Sequence, residues 1–181
     1  MLNNLLTRNE VVCRRTARAR RISPSRSAET VRVNLRQDLR GLRADVIQRK
    51  PIARVSTNAS YYVDDEGKYM PLSTNYTAHV PIVTGSVEKN NLKNIFTIAS
   101  KIYEDEFLKT HIVEIHQEEN QRLSLKTRVF NFEIILGDLN DLDKKINNLK
   151  AFYQKAKKDE TLNTYSKVNL QFNNQVVCTK K

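Results

Sequence analysis

Apolar and polar residues alternate along several short runs after residue 45, and this period of two predicts β-strands that bury one face. The first run, residues 46–55, contains Pro51, which favours an edge or a bulge because proline has no N–H to donate. The other runs are residues 61–63, 68–70, 79–85, 112–116, 122–127, 130–136, 168–172 and 175–179. Gly67 favours a turn between the second and third runs, and Asn173-Asn174 favour a tight turn near the end. The chain is therefore predicted to end in a hairpin or a bulged strand.

Two other segments repeat apolar residues at steps of three and four, which is typical of amphipathic helices. The first repeat is Leu92, Ile95, Phe96, Ala99, Ile102 and Tyr103. The second is Leu142, Ile146, Leu149, Tyr153 and Ala156, with Lys144, Lys145, Lys150 and Lys155 on the other sides. Asn140 or Asp141 is the predicted cap of the second helix. Strands interspersed with two such helices predict an α+β domain.

Basic residues divide the chain into two unlike pieces. All sixteen lysines lie at or after Lys50, whereas twelve of the fifteen arginines lie at or before Arg49. Residues 1–50 carry a net charge of +9, and residues 51–181 carry only +2. Because the first piece is poor in apolar periodicity, residues 1–42 are predicted to be disordered or foreign to the domain that follows. The functional alternative is an arginine-rich arm that binds RNA or another nucleic acid.

Candidate chemistry is sparse, and the sequence predicts no catalytic residue, no cofactor and no metal site. The four glycines are isolated, so they form no phosphate-binding loop. His111, Glu114 and His116 lie close together, but strand alternation places His111 on the opposite face from the other two. Aromatic residues among basic ones could form a stacking platform for single-stranded nucleic acid. Their positions are better explained as core: Phe96, Tyr103, Phe130, Phe132, Phe152 and Tyr153.

The chain shows neither of the two usual routes to a membrane. No run approaches the roughly 18 to 20 apolar residues that a membrane helix needs. The first residues also lack the charged end and apolar run of a signal peptide.

Six short motifs occur in order between residues 49 and 180. They are Arg49-Lys50-Pro51-Ile52-Ala53-Arg54-Val55, Asp65-Glu66-Gly67, Val80-Pro81-Ile82-Val83-Thr84-Gly85, Glu133-Ile134-Ile135-Leu136-Gly137, Val168-Asn169-Leu170-Gln171-Phe172 and Asn174-Gln175-Val176-Val177-Cys178-Thr179-Lys180. Together they resemble the C-terminal β domain of the FtsQ/DivIB cell-division proteins. The ending is similar to flavobacterial and Bacteroidetes members in particular.

The resemblance implies an FtsQ-type β domain in residues 56–181, with a mostly antiparallel sheet packed with two amphipathic helices. Residues 43–55 then resemble the last strand of a POTRA domain and a linker, and most of that POTRA domain is unrecognisable here. The family implies a bitopic inner-membrane protein with the β domain in the periplasm, anchored by a helix that this chain does not show. It also implies a non-enzymatic divisome scaffold that binds FtsB and FtsL and helps to control septal peptidoglycan synthesis.

The last strand is the expected partner-binding site. An exposed terminal strand presents a row of N–H and C=O groups to which another chain can add a strand. In the family the partner pairs with the last strand of the β domain. By residue order this strand is Phe172, Asn173, Asn174, Gln175, Val176, Val177, Cys178 and Thr179. The alternative is that residues 176–179 form an ordinary core or edge strand without a partner.

Overall fold

A computed structural model describes residues 31–38, 41–57, 59–73, 77–88, 92–130, 132–172 and 175–181. Within these ranges the strands are β1 (Val31–Asp38), β2 (Gly41–Gln48), β3 (Pro51–Ser56), β4 (Ser60–Asp64), β5 (Tyr69–Met70), β6 (Ile82–Gly85), β7 (Ile112–Gln117), β8 (Leu123–Thr127), β9 (Glu133–Gly137), β10 (Tyr165–Asn169) and β11 (Val177–Lys180). The α-helices are α1 (Lys93–Glu104), α2 (Glu106–His111) and α3 (Leu142–Lys158), and a 3₁₀ helix, Leu162–Thr164, precedes β10.

Nine of these strands form one sheet, in the order β11-β10-β9-β8-β7-β6-β3-β4-β5. The pairs β9/β10, β6/β7 and β3/β6 are parallel, and the other five pairs are antiparallel. Parallel neighbours need long crossovers. Helices α1 and α2 supply the one from β6 to β7, and α3 supplies the one from β9 to β10. The predicted α+β fold with a mostly antiparallel sheet is confirmed.

The helices cover one face of the sheet. Apolar residues of α1, α2 and α3 share a single buried cluster with residues from β3, β4 and β6 to β10. Ile95, Leu108 and Ile115 in this cluster are fully buried. Each fully buried aliphatic side chain contributes about 1.5–3 kcal/mol. The helix-covered face therefore holds the domain together.

On the opposite face of the sheet, strands β7 to β10 carry charged side chains in register from strand to strand. Glu114 on β7 pairs with Lys126 on β8, which in turn pairs with Glu133 on β9 and then Lys167 on β10. Ion pairs join Glu114 to Lys126 at 3.0 Å and Glu133 to Lys167 at 3.5 Å. Opposite charges directly across strands stabilise a sheet modestly. We call this surface the open face.

Strands β1 and β2 form a separate antiparallel hairpin. This differs from the disorder predicted for residues 1–42, because Val31–Asp38 is a strand. Residues 1–30 lie outside the described residues. Strand β1 forms because its backbone N–H and C=O groups pair with those of β2. Amino-acid composition gives no information about such pairing. The assignment of residues 43–55 to the last POTRA-like strand and a linker stays a prediction.

The run predicted as one strand over residues 46–55 is two strands, because β2 ends at Gln48 and β3 begins at Pro51. Proline is tolerated as the first residue of a strand, where no ladder donor is needed. The register between β3 and β4 shifts between Pro51 and Ala53, so the expected bulge is present. Strand β3 nevertheless lies inside the large sheet, between β6 and β4.

Three predictions about the helices need correction. Asp141 occupies the cap position of α3, but its side chain caps no backbone N–H and pairs with Lys144 instead. Lys145 is buried rather than solvated, and its ammonium donates to the carbonyl oxygens of Leu136 and Asp138 at 3.0 and 2.8 Å. Tyr103 is exposed, although its spacing indicated a core position. Helix α2 was not predicted, since six residues are too few to show a period.

A buried carboxylate, Asp64, connects the hairpin to the large sheet. One oxygen of Asp64 accepts from the backbone N–H groups of Glu66 and Lys68 at 3.0 and 2.8 Å. The other oxygen accepts from Arg49 Nε at 2.7 Å and Arg32 Nη2 at 3.3 Å. The pKa of Asp64 is lowered: burial alone raises it, but these hydrogen bonds and the Arg49 charge outweigh burial.

Asp64→Asn should destabilise the protein by about 2–4 kcal/mol at pH 7, because it removes the buried negative charge that pairs with Arg49 and Arg32. A lowered pKa gives stability that is present above the unfolded value, about pH 4, and lost as pH falls through the folded value. The variant should therefore lose less stability than the parent in acid. Urea unfolding at pH 7 and in acid measures both effects.

The matched control is Asp45→Asn, which removes an exposed carboxylate 3.8 Å from the exposed Arg36. It should change the free energy of unfolding by less than about 0.5 kcal/mol. Equal effects of the two variants would contradict the role given to Asp64.

Candidate functional site

Strand β11 is one edge of the large sheet. It pairs antiparallel with β10, with Val177 opposite Asn169 and Thr179 opposite Lys167. Among the described residues no strand lies on its other side. Outward-facing backbone groups on such an edge can pair with another chain, although the Lys180 carbonyl oxygen already accepts from Ser166 Oγ at 3.3 Å. The predicted strand pair at the end of the chain is confirmed, whereas the Asn173-Asn174 turn lies outside the described residues.

Pairing with β9 fixes which backbone groups of β11 point outward. The N–H of Leu170 donates to the carbonyl oxygen of Ile135 in β9 at 2.9 Å. Because successive residues of a strand direct their N–H and C=O groups to opposite sides, Asn169 and Lys167 face β11. Their partners Val177 and Thr179 consequently face β10. The N–H and C=O of Cys178 point outward, away from the sheet.

Side chains of β11 also alternate, between the two faces of the sheet. Val176 and Cys178 are half-buried and pack against the main core on the helix-covered face. Burial raises the pKa of the Cys178 thiol. Val177 and Thr179 are exposed on the open face. The edge thus presents a half-buried row, Val176 and Cys178, and an exposed row, Val177 and Thr179.

The predicted site residues divide into three groups. Val177, Cys178 and Thr179 lie in β11. Phe172 is exposed, as is Gln175, and Val176 is half-buried, but these three lie outside the strand. Asn173 and Asn174 lie outside the described residues. The structure adds Lys180, which ends β11 and is exposed, and which the resemblance did not include.

The other edge of the large sheet is closed. Strand β5 has only two residues, and Pro71 directly after it has no N–H to donate. The carbonyl oxygen of Tyr69 accepts a 2.6 Å hydrogen bond from Arg49 Nη2. Short length, proline and an occupied carbonyl are means of blocking strand addition. The two edges of the sheet therefore differ in their capacity to receive another strand.

The histidines weighed as metal ligands lie apart. His111 ends α2 and stacks on Phe107, with ring centroids 4.4 Å apart. On the open face, Thr84 Oγ1 donates to Glu114 at 2.8 Å and lies 3.0 Å from His116 Nδ1. In the described part of the chain, no group of three or more His, Cys, Asp or Glu residues is placed to hold a metal ion.

None of the helices within the described ranges combines the length and apolar character needed to cross a membrane.

Comparison with known proteins identifies a family. A family model described as "FtsQ/DivIB, C-terminal related" matches residues 50–179, which include every strand of the large sheet and all three α-helices. No curated protein matches the chain. The FtsQ/DivIB family is one of non-enzymatic division scaffolds. The suspected resemblance is thereby confirmed, and the chain belongs to the FtsQ/DivIB C-terminal related family of cell-division proteins.

Proposed function

We propose that this protein is a divisome scaffold that binds a partner by strand addition to the outer edge of β11. FtsB and FtsL homologues are the candidate partners, and binding would help to control septal peptidoglycan synthesis. The contact would take place in the periplasm, with the protein held at the inner membrane. The family supports the cell-division role, and the geometry of the sheet edges supports the mode of binding.

The difference between the two sheet edges is the observation that carries the proposal. The β5 edge is short, ends at Pro71 and has its Tyr69 carbonyl bound by Arg49. The β11 edge contains no proline, and Cys178 directs both its N–H and its C=O outward, although the Lys180 carbonyl oxygen accepts from Ser166 Oγ at 3.3 Å. An unprotected edge strand invites aggregation unless a partner uses it. Closing one edge and leaving the other open therefore favours a binding role for β11.

Strand addition divides affinity and specificity between different groups. Backbone hydrogen bonds, each worth about 0.5–1.5 kcal/mol net, supply affinity with little dependence on sequence. Side chains that alternate between the faces supply the choice of partner. With few backbone bonds available on a four-residue strand, we expect side-chain contacts to contribute substantially.

Cys178→Pro should abolish binding while leaving the protein folded, because it removes an outward N–H that the sheet itself does not use. Val177→Pro should instead destabilise the protein, since the Val177 N–H faces β10. Cys178→Ala is the matched control, because it loses the thiol but retains the N–H. Calorimetric titration with periplasmic segments of the same organism's FtsB and FtsL homologues measures binding, and a thermal melt measures folding.

Binding by a folded Cys178→Pro protein would refute strand addition at β11. No binding by the folded parent chain would contradict the proposed partners. That result would favour the alternative, in which the arginine-rich first fifty residues bind RNA.

Partner binding should also slow alkylation of Cys178. A thiol reacts as its thiolate, and a neighbouring strand would bury the Cys178 side chain further. Mass spectrometry of a Cys13→Ser protein, with and without saturating partner, follows this reaction at one cysteine. Thr179→Cys in a Cys13→Ser, Cys178→Ala background is the control on the opposite face, where we expect weaker protection. An unchanged rate at Cys178 would mean that the partner binds elsewhere.

A further inference from the structure

The apolar core reaches the β11 edge without being closed there. Val168 on β10 is fully buried, but its neighbour on β11, Cys178, is only half-buried. The same side of the sheet holds Phe152 and Tyr165, which are partly buried and in ring contact at 5.4 Å. Burial thus declines from β10 to β11, because no described strand lies beyond. One more apolar side chain beside Cys178 would extend this core.

The row of β11 side chains that contains Cys178 ends in a charged residue, Lys180. Strand alternation places the Lys180 side chain on the side of Cys178, two residues further along. Lys180 is exposed, and no carboxylate among the described residues lies within ion-pair distance of it. Lys181 follows and is also exposed. Two exposed lysines therefore lie together after Cys178.

We infer that the segment that adds to β11 is a strand with an apolar side chain beside Cys178 and, two residues away on the same face, an acidic side chain beside Lys180. The inference rests on the proposed function and specifies the chemistry of its partner. An apolar side chain next to Cys178 is removed from water, whereas a charged one would be desolvated without a counter-charge. An acidic side chain next to Lys180 forms a cross-strand ion pair.

The open face places a weaker constraint on the partner. Val177 and Thr179 carry no charge and are exposed, so side chains beside them remain in water. The order of the two selected side chains reveals the direction of the added strand. Apolar before acidic corresponds to a strand parallel to β11, and acidic before apolar corresponds to an antiparallel one.

Selection from a library of short displayed peptides on the full chain tests the inference without assuming a partner. The Cys178→Pro chain serves for counter-selection, so that the retained peptides depend on the outward N–H. We expect these peptides to carry an apolar and an acidic residue at alternate positions. Selection on a Lys180→Glu chain should replace the acidic residue by a basic one, whereas Lys181→Glu should leave it unchanged.

Two matched variants then measure the effect of the half-buried row on a selected peptide. Cys178→Asp should weaken binding by at least about tenfold, because the new charge is desolvated in the half-buried row. Thr179→Asp adds the same charge on the open face and should change the Kd by less than about threefold. Cys178→Ser provides a milder change should Cys178→Asp fail to fold.

The outcomes separate this inference from the function on which it rests. Peptides that depend on the Cys178 N–H but lack the pattern would overturn the inference and leave strand addition standing. Equal effects of Cys178→Asp and Thr179→Asp would do the same. A selection in which no peptide distinguishes the parent from Cys178→Pro would contradict strand addition itself.

Discussion

Burial of one face of the large sheet is the constraint on which the rest of the structure depends. Helices α1, α2 and α3 pack on the same side, and most buried apolar residues of the strands point toward them in one cluster. Tyr62 and Met70 belong to a smaller, separate cluster with Ala78. Because side chains alternate along a strand, the residues between the buried ones point to the opposite face of the sheet. The charges of Glu114, Lys126, Glu133 and Lys167 follow from this alternation, as do the two rows of side chains on β11.

Charged groups near the ends of strands and helices hold the connections in place. Asp64 binds the β4–β5 turn and the arginines of the hairpin. Asp105 accepts the first N–H groups of α2 and pairs with Lys150 of α3. Its pKa is lowered, because these contacts outweigh the upward effect of burial. Lys145 ties α3 to the end of β9 through Asp138, whose carboxyl pKa its ammonium lowers. Removing one partner of such a buried pair is strongly destabilising, because the other charge is left buried without compensation.

The two sheet edges show how a fold of this kind limits its interactions. Closing the β5 edge requires a short strand, Pro71 and the side chain of Arg49, which reaches it from beyond β2. The β11 edge directs the N–H and C=O of Cys178 outward, and the half-buried Cys178 side chain lies at the margin of the core. A partner strand paired with β11 would extend the sheet beyond this edge. Its side chains on the helix-covered face would then lie next to the apolar core.

Much of the fold was predictable because its signals are local. The period of two in residues 168–172 and the steps of three and four in α1 and α3 require no knowledge of distant residues. Gly67 lies in the β4–β5 turn and Gly137 ends β9, and both have the positive φ that glycine adopts readily. Strand β1 was missed because its pairing with β2 outweighs its composition. The burial of Lys145 was missed because its partners at the end of β9 are outside the helical repeat.

The sequence by itself determined most strands of the large sheet, the two long helices, the family and the segment in which binding was expected. It could not determine that β11 is an edge, that β5 is a closed one, or that Cys178 rather than Val177 directs its N–H outward. Those facts depend on the register of β11 against β10 and of β10 against β9. Register is set by hydrogen bonds and packing between segments far apart in the chain, so only the tertiary structure decided it.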